Sequence, residues 1–400
     1  MTTPRFLQIH FLTSYAGALL NRDDAGLAKR LSYGGAVRTR VSSQCLKRHW
    51  RTSADGWSLA ATGADLSTRT RDVFKYAIRD ALCTAVPTAT AEIVDAAGAA
   101  LSRGLYGDKA DDPKKRQALL LGWREIEFLT ARLTEVIRGA ADAQAAGDAV
   151  QAMFKGKETK ANLSVIRESA GALAAGLEAA LFGRMITSDP AANTDAAMHV
   201  AHAFTVHEQE SETDYFTVVD DLKLRDDDAD SGSAGIFDTE LTSGLYYGYV
   251  VIDVPLLVAN ITGATPELWA ASNTDRDLPA KVVQHLIHLI ATVSPGAKKG
   301  STAPYAFANT LLVEAGARQP RSLASAFESP VRGGRGRSVS VEAETALFDR
   351  LRTIDRAYGH DGSRQFLSLN QQRVDGIGDA VSIDDIATWA AERVRTASIA

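Results

Sequence analysis

Two extended runs, DYFTVVDDL at 214–222 and GIFDTELTSG at 235–244, face each other across the polar tip RDDDADSGSAG. Runs rich in β-branched and aromatic residues, separated by Asp, Ser and Gly, read as one long β-hairpin. Hairpin strands are antiparallel, so this stretch commits part of the chain to antiparallel sheet. GLYYGYVVIDV at 244–254 alternates behind it and reads as a central strand with its aromatic residues on one face. RFLQIHFLTS at 5–14 and APYAFANTLLVEAG at 303–316 are further strand candidates, with His10 an ordinary sheet residue.

Between these runs the period changes. Residues 61–180 are rich in Ala and Leu at helical spacing, as in RDVFKYAIRDAL and REIEFLTARLTEVI, and read as a helical insertion. The stretches 139–149, in part, and 155–160 read as a loop or a frayed join, with Lys155, Lys157 and Lys160 on a solvated face. LPAKVVQHLIHLI is an amphipathic helix with Pro279 in its first turn and His285 and His288 as packing or surface residues. IDDIATWAAERVRT is another amphipathic helix. The mixture predicts an α+β fold, and 400 residues suit one large elaborated domain or two. Cys45 and Cys83 are the only cysteines, which excludes a disulfide framework and fits a reducing cytoplasm. The run 6–20 carries Gln8, His10, Thr13 and Ser14, so neither a signal peptide nor a membrane span is expected.

Charge is distributed unevenly. Residues 1–51 carry nine Lys and Arg against Asp23 and Asp24, a local +7 on a chain whose formal net charge is −5. Such an excess marks a seat for a polyanion. Inside it, a basic extended run, Arg38–Val41, leads to Ser42-Ser43, good N-cap residues, and then to the helix QCLKRHWR. Helical spacing puts Ser43, Lys47 and Arg51 on one face with Gln44 and Arg48 beside them, and Leu46 and Trp50 towards a core. A helix N-terminus with hydroxyls and a Gln amide suits phosphate or ribose; a solvated basic face is the alternative. Gly34-Gly35 permits a close backbone approach or a simple turn.

The hairpin has the opposite sign. Residues 207–242 hold twelve acids against Lys223 and Arg225, a net −10. An acidic arm cannot hold RNA by charge, but it can push apolar side chains between bases, since stacking is indifferent to net charge. Its acids also suit the basic face of a second copy, favouring head-to-tail assembly. In GRMITSDP, Met185 stands in a loop. His199, His202 and His207 lack Cys or carboxylate partners at ligand spacing, so no metal site is expected. SPGAKKGST lacks the ending of a phosphate loop, although Lys298 and Lys299 can touch a backbone phosphate. VRGGRGRS places Arg332, Arg335 and Arg337 on a glycine loop that is either an inert surface or a nucleic-acid contact.

The ordered blocks NRDD, YGG, R-x-R-x-SSQ-x-LKR-x-x-R, GRMITSDP, AMHVAHAFTVHE, DYFTVVDDL, LTSGLYYGYV and SPGAKKG resemble the CasC-type backbone subunit of Cascade, the type I-E CRISPR surveillance complex. The resemblance covers about three quarters of the chain and implies an RNA-recognition-motif-like (ferredoxin-like) palm at 1–60, 181–206 and 243–400. It further implies helical fingers at 61–180 and a hairpin thumb at 207–242. By that resemblance several copies polymerise along CRISPR RNA, beside other Cascade subunits, without catalysis and without a cofactor. Arg22, Lys29, Ser42, Gln44, Lys47, Arg48 and Arg51 would meet the guide backbone, with Met185 against a base. Phe216, Thr217 and Ile236 would be the wedge that kinks the strand, leaving it open to pair with target DNA. Lys298, Lys299, Arg332, Arg335 and Arg337 are the possible DNA contacts. Cys45 stands where many relatives carry a hydroxyl.

Two rival classes are open. One is an RNA-cleaving backbone subunit of a type III-like effector, with Asp23-Asp24 holding metal ions for phosphodiester cleavage. The other is a stand-alone metalloenzyme built on the histidines of 199–207.

Overall fold

The computed structural model describes residues 3–155, 171–186, 189–219, 233–334, 336–360 and 362–398. Lys157, Lys160 and Arg335 lie outside the described residues, as do the hairpin tip at 220–232 and the side chains of Lys155 and Ile236. The chain forms two compact units: 1–58, 200–251 and 283–393 make the first, and 59–199, 252–282 and 394–400 the second. Among the described residues no helix is long and apolar enough to cross a membrane.

The first unit is built on an antiparallel sheet. Its strands include β1 (Phe6–Ala18), β2 (Arg30–Tyr33), β3 (Ala36–Val41), β4 (Ala203–Thr205), β5 (Glu210–Val219), β6 (Ser233–Asp253), β7 (Ala308–Gly316) and β8 (Ser363–Ser368). They run in the order β8-β7-β1-β6-β4-β3-β2, and β5 pairs with β6. β1 is buried without a break from Phe6 to Thr13, because it lies between β7 and β6 with both faces covered. It pairs with β7 from Phe6↔Gly316 to Thr13↔Ala308, shifting register once after Leu12. Helix Val339–Tyr358 lays a stripe of Ala343, Leu347 and Leu351 into a core shared with Leu12, Tyr247, Leu312 and Phe366. That helix and β8 are elements to which the sequence pattern assigned nothing.

His10 lies in β1 as expected, opposite Leu312, and sits in a buried polar cluster. Its ring is fully buried, bonded through Nδ1 to the Tyr247 hydroxyl at 2.9 Å, with Nε2 3.4 Å from Glu314. Burial pushes the imidazole pKa down, outweighing the Glu314 carboxylate beside it. Burial would also raise Glu314, but His10 and Arg321, at 2.7 Å, hold that carboxyl well below the usual range.

The two-residue turn between β2 and β3 is Gly34-Gly35, with φ of 62° and 77°. Both angles are left-handed, as a type I′ hairpin turn requires. A Cβ on Gly34 would stand 1.5 Å from the Glu328 carbonyl oxygen, so this turn is also a close backbone approach.

The expected hairpin is present as β5 against β6, pairing from Glu210↔Ser243 to Val219↔Ser233. Its returning strand and the expected central strand are a single element of 21 residues. Nothing between Ser233 and Asp253 breaks the extended backbone, and β6 joins β4 through Phe204↔Tyr247.

In the second unit, helices Arg79–Ala85, Ala91–Tyr106, Trp123–Gly139 and Ala143–Lys155 enclose an apolar core of Ile78, Leu101, Leu129, Leu133 and Val150. Two short strands, Ser67–Thr70 and Leu119–Gly122, pair antiparallel within it. Helix Val254–Thr262 belongs to this unit because Asn260 Nδ2 donates to the Ala180 and Asp195 carbonyls.

Candidate nucleic-acid interface

The basic helix forms as α1 (Ser43–Arg51), and one asparagine organises its approach. Asn21 Oδ1 accepts the Ser42 N–H at 2.9 Å, and the Asn21 carbonyl accepts the Lys29 N–H at 2.9 Å. The Lys29 carbonyl in turn accepts the Arg40 N–H at 2.7 Å. Ser42 is the N-cap, its Oγ accepting the Cys45 N–H at 3.3 Å, so its hydroxyl proton is still available to donate.

The faces of α1 differ from the expected split in one respect. Ser43 is buried with Leu46 and Trp50, because positions i, i+3 and i+7 share a helix face. The outward face is centred on exposed Gln44 and Arg48, with half-buried Lys47 and Arg51 at its flanks. Burial pushes the Lys47 ammonium pKa down.

Several cations act on this one place. Burial pushes the Cys45 thiol up to about 11, and the charges of Arg48, Lys29 and Lys299 pull it the other way. The His202 imidazole is pushed down by burial, then by Arg40 and Lys29. Arg40 bonds His202 Nδ1 at 2.9 Å. Arg22, Lys29, Arg48 and Lys299 meet no acid in an ion pair among the described residues.

Other basic residues of the stretch serve the protein itself. The Arg38 guanidinium is fully buried and donates to the carbonyls of Thr205 and Phe327, both at 3.0 Å. Arg30 pairs with Glu240. Asp23 caps its own turn, its Oδ1 accepting the Leu27 N–H at 2.9 Å, and Asp24 is exposed. The candidate histidines are likewise engaged: His199 Nε2 with the Ala196 carbonyl, and His207 with the Glu208 carbonyl and the Leu245 N–H. Among the described residues no three His, Cys, Asp or Glu gather as a metal-binding group.

On the hairpin, Phe216 stands opposite Phe237, and the two rings stack at 5.6 Å. Both remain partly exposed, at 41% and 49%, and Thr217 is exposed beside them. Lys298 bonds Thr239 Oγ1 and lies 5.5 Å above the Phe216 ring. Lys298 thus buttresses the hairpin, whereas Lys299, on the single helical turn Lys299–Thr302, is exposed. Arg332 pairs with Glu208 at 3.5 Å and Arg337 with Glu342 at 3.8 Å. Such solvent-facing pairs contribute about 0–1 kcal/mol and open readily.

Met185 lies in the second unit and is no core filler: it is 65% exposed. Its carbonyl accepts Gln117 Nε2 at 3.1 Å, and its neighbour Arg184 is locked to buried Glu125 at 2.7 Å. The loop therefore offers an apolar side chain to solvent from a fixed backbone.

The model of the CT1975-like protein family matches residues 7–389. The chain belongs to that family. No curated protein matches the sequence. Among solved structures, a chain described as "CRISPR RNA-guided surveillance complex, pre-nicking" superposes with a TM-score of 0.74 at 24% identity, covering 96% of this chain and 100% of that one. A chain described as "CRISPR RNA-guided surveillance complex" gives 0.56 at 20%, covering 96% and 98%. At these identities the likeness is one of fold.

In this CT1975-like protein two features escaped motif reading. Arg40 and His202 meet because β3 pairs with β4, a contact 162 residues apart. Phe237 faces Phe216 through hairpin register, which is set only once the pairing is known.

Proposed function

We propose that this CT1975-like protein is a non-catalytic RNA-binding backbone subunit of a type I-E Cascade complex in the cytoplasm. Several copies line the spacer part of a CRISPR RNA, each holding the sugar–phosphate backbone whatever its sequence. The sheet of the first unit acts as an RNA-recognition-motif-like palm, the second unit as fingers and the β5–β6 hairpin as thumb. Between kinks the strand stays open for target DNA, so pairing reads the sequence and the protein sets the geometry.

One observation carries this reading. Asn21 ties the Lys29 backbone to the Ser42 N-cap of α1, Gln44 and Arg48 face outward beside it, and neither Lys29 nor Arg48 meets an acid in an ion pair among the described residues. A helix start with available N–H groups, a free hydroxyl proton at Ser42 and the Gln44 amide is chemistry for a phosphate backbone. The thumb wedge is read as Phe216, Thr217 and Ile236, with Phe237 stacked behind it.

The test is binding of unrelated single-stranded RNAs across a salt series. Wild type should bind all sequences alike, and Arg48→Glu and Lys29→Glu should each flatten the log–log salt slope by roughly 0.7. Unchanged slopes, or affinity that follows RNA sequence, would overturn the assignment.

A further inference from the structure

The loop after helix Asp277–Thr292 is fixed by its own hydrogen bonds. Ser294 Oγ accepts the Ala306 N–H at 2.9 Å and donates to the Ala306 carbonyl at 3.0 Å, closing the loop on itself. The Ala297 N–H bonds the Leu19 carbonyl at 2.9 Å, which ties the loop to the end of β1. At Ala303 the chain takes a φ of 39°, the one left-handed non-glycine conformation among the described residues. Two residues on stands Tyr305, then Phe307, exposed by 72% and 71%. The Tyr305 N–H bonds the Ala303 carbonyl at 2.7 Å, a tight turn at Pro304. Pro304 and Ala308 are buried and Ala306 is half-buried, so burial alternates and both rings are left to solvent. Neither ring meets another aromatic ring among the described residues.

We propose that Tyr305 and Phe307 form a base-stacking platform for unpaired nucleobases of the RNA strand whose backbone α1 holds. The inference rests on the reading of α1 as the backbone grip. Lys299, whose carbonyl accepts the Ala303 N–H at 3.0 Å, supplies a phosphate partner beside them. A protein partner is disfavoured by the surroundings: Lys299, Gly300, Ser301 and Ala303 are exposed around the rings, without the apolar rim that shields a protein hot spot from water. Stacking on nucleobases needs only the π-faces and tolerates any base.

The experiment uses the full chain and a short single-stranded RNA carrying 2-aminopurine, beside its abasic counterpart. Wild type should quench the fluorophore on binding, while Tyr305→Ala/Phe307→Ala should lose the quench and bind about 10- to 100-fold more weakly. Tyr305→Phe/Phe307→Tyr should restore both, and wild type should bind abasic RNA as weakly as the double alanine variant binds the intact strand. Equal affinity and equal quenching in the alanine variant overturn the proposal. So does a variant that keeps its affinity for the short RNA yet loses multimers on a long one, since the rings then meet a second copy. If wild type binds no RNA, the reading of α1 fails first and the platform with it.

Discussion

Arg38→Met separates the structural arginines of the basic stretch from those that would face a ligand. Arg38 sits in the most basic strand of the chain, yet its guanidinium donates to Thr205 and Phe327 carbonyls at 3.0 Å and reaches the Glu328 carbonyl at 3.4 Å. Methionine keeps much of the apolar stem and removes every donor. Two carbonyls lose a good partner and a third a long one; at about 1–3 kcal/mol for each buried group left unpaired, the loss is roughly 3–5 kcal/mol. That is a large fraction of the roughly 5–15 kcal/mol by which a domain is stable. Arg48→Met, on the exposed face, should change stability by no more than about 0.5 kcal/mol. Urea unfolding followed through tryptophan fluorescence reads both, since Trp50 is buried on α1. Arg38→Met within about 1 kcal/mol of wild type, combined with a weakened RNA salt slope, would refute the division into structural and ligand-facing cations.

Other expectations follow from the same geometry. Gly34→Ala should cost at least about 2 kcal/mol by urea unfolding, because it sets a Cβ against the Glu328 carbonyl at a left-handed φ. Glu314, held low in the folded chain, stabilises it above the unfolded carboxylate pKa of about 4.3, and that contribution fades as pH falls below it. His10, held low by burial, adds a loss as pH falls below about 6.5; Glu314→Gln should remove the more acidic limb of a stability–pH curve and deepen the His10 limb, because the carboxylate that raises the imidazole is gone. Phe216→Ala/Phe237→Ala should weaken multimer formation on long RNA more than affinity for a short strand, read by sedimentation beside direct binding. The assembled complex with complementary RNA and Mg²⁺ should leave that RNA intact on a denaturing gel; regular fragments would restore the cleaving alternative.

How much of this was legible in the sequence varies with the range of each interaction. The hairpin, β1, α1 and helix Asp277–Thr292 declare themselves through local period and caps, which depend on residues a few positions apart. Ser43 shows the margin of such reading: on a short helix one residue of phase decides whether a hydroxyl faces solvent or core. The charge count of the basic stretch was plain, but not that Arg38 is buried or that Lys298 braces Phe216. Those facts depend on partners 59 to 289 residues away, brought close by the sheet and its loops. Helix Val339–Tyr358 is hard to read locally, since its stripe of Ala, Leu and Phe is interrupted by buried Glu344, which bonds Thr310, Ser368, Asn370 and Gln371. A carboxylate at a core position reads as a break until its donors are seen.

The central claim is that one chain-length repeat grips RNA through α1 without regard to sequence. It is tested most directly by the mass of the assembly formed on single-stranded RNAs of increasing length, for wild type and for Lys47→Glu/Arg51→Glu. The expected result is a copy number that rises stepwise with RNA length for wild type, and a folded, RNA-free monomer for the double variant. A double variant that still forms the same ladder, or a wild type that stays at one copy on every length, would contradict it.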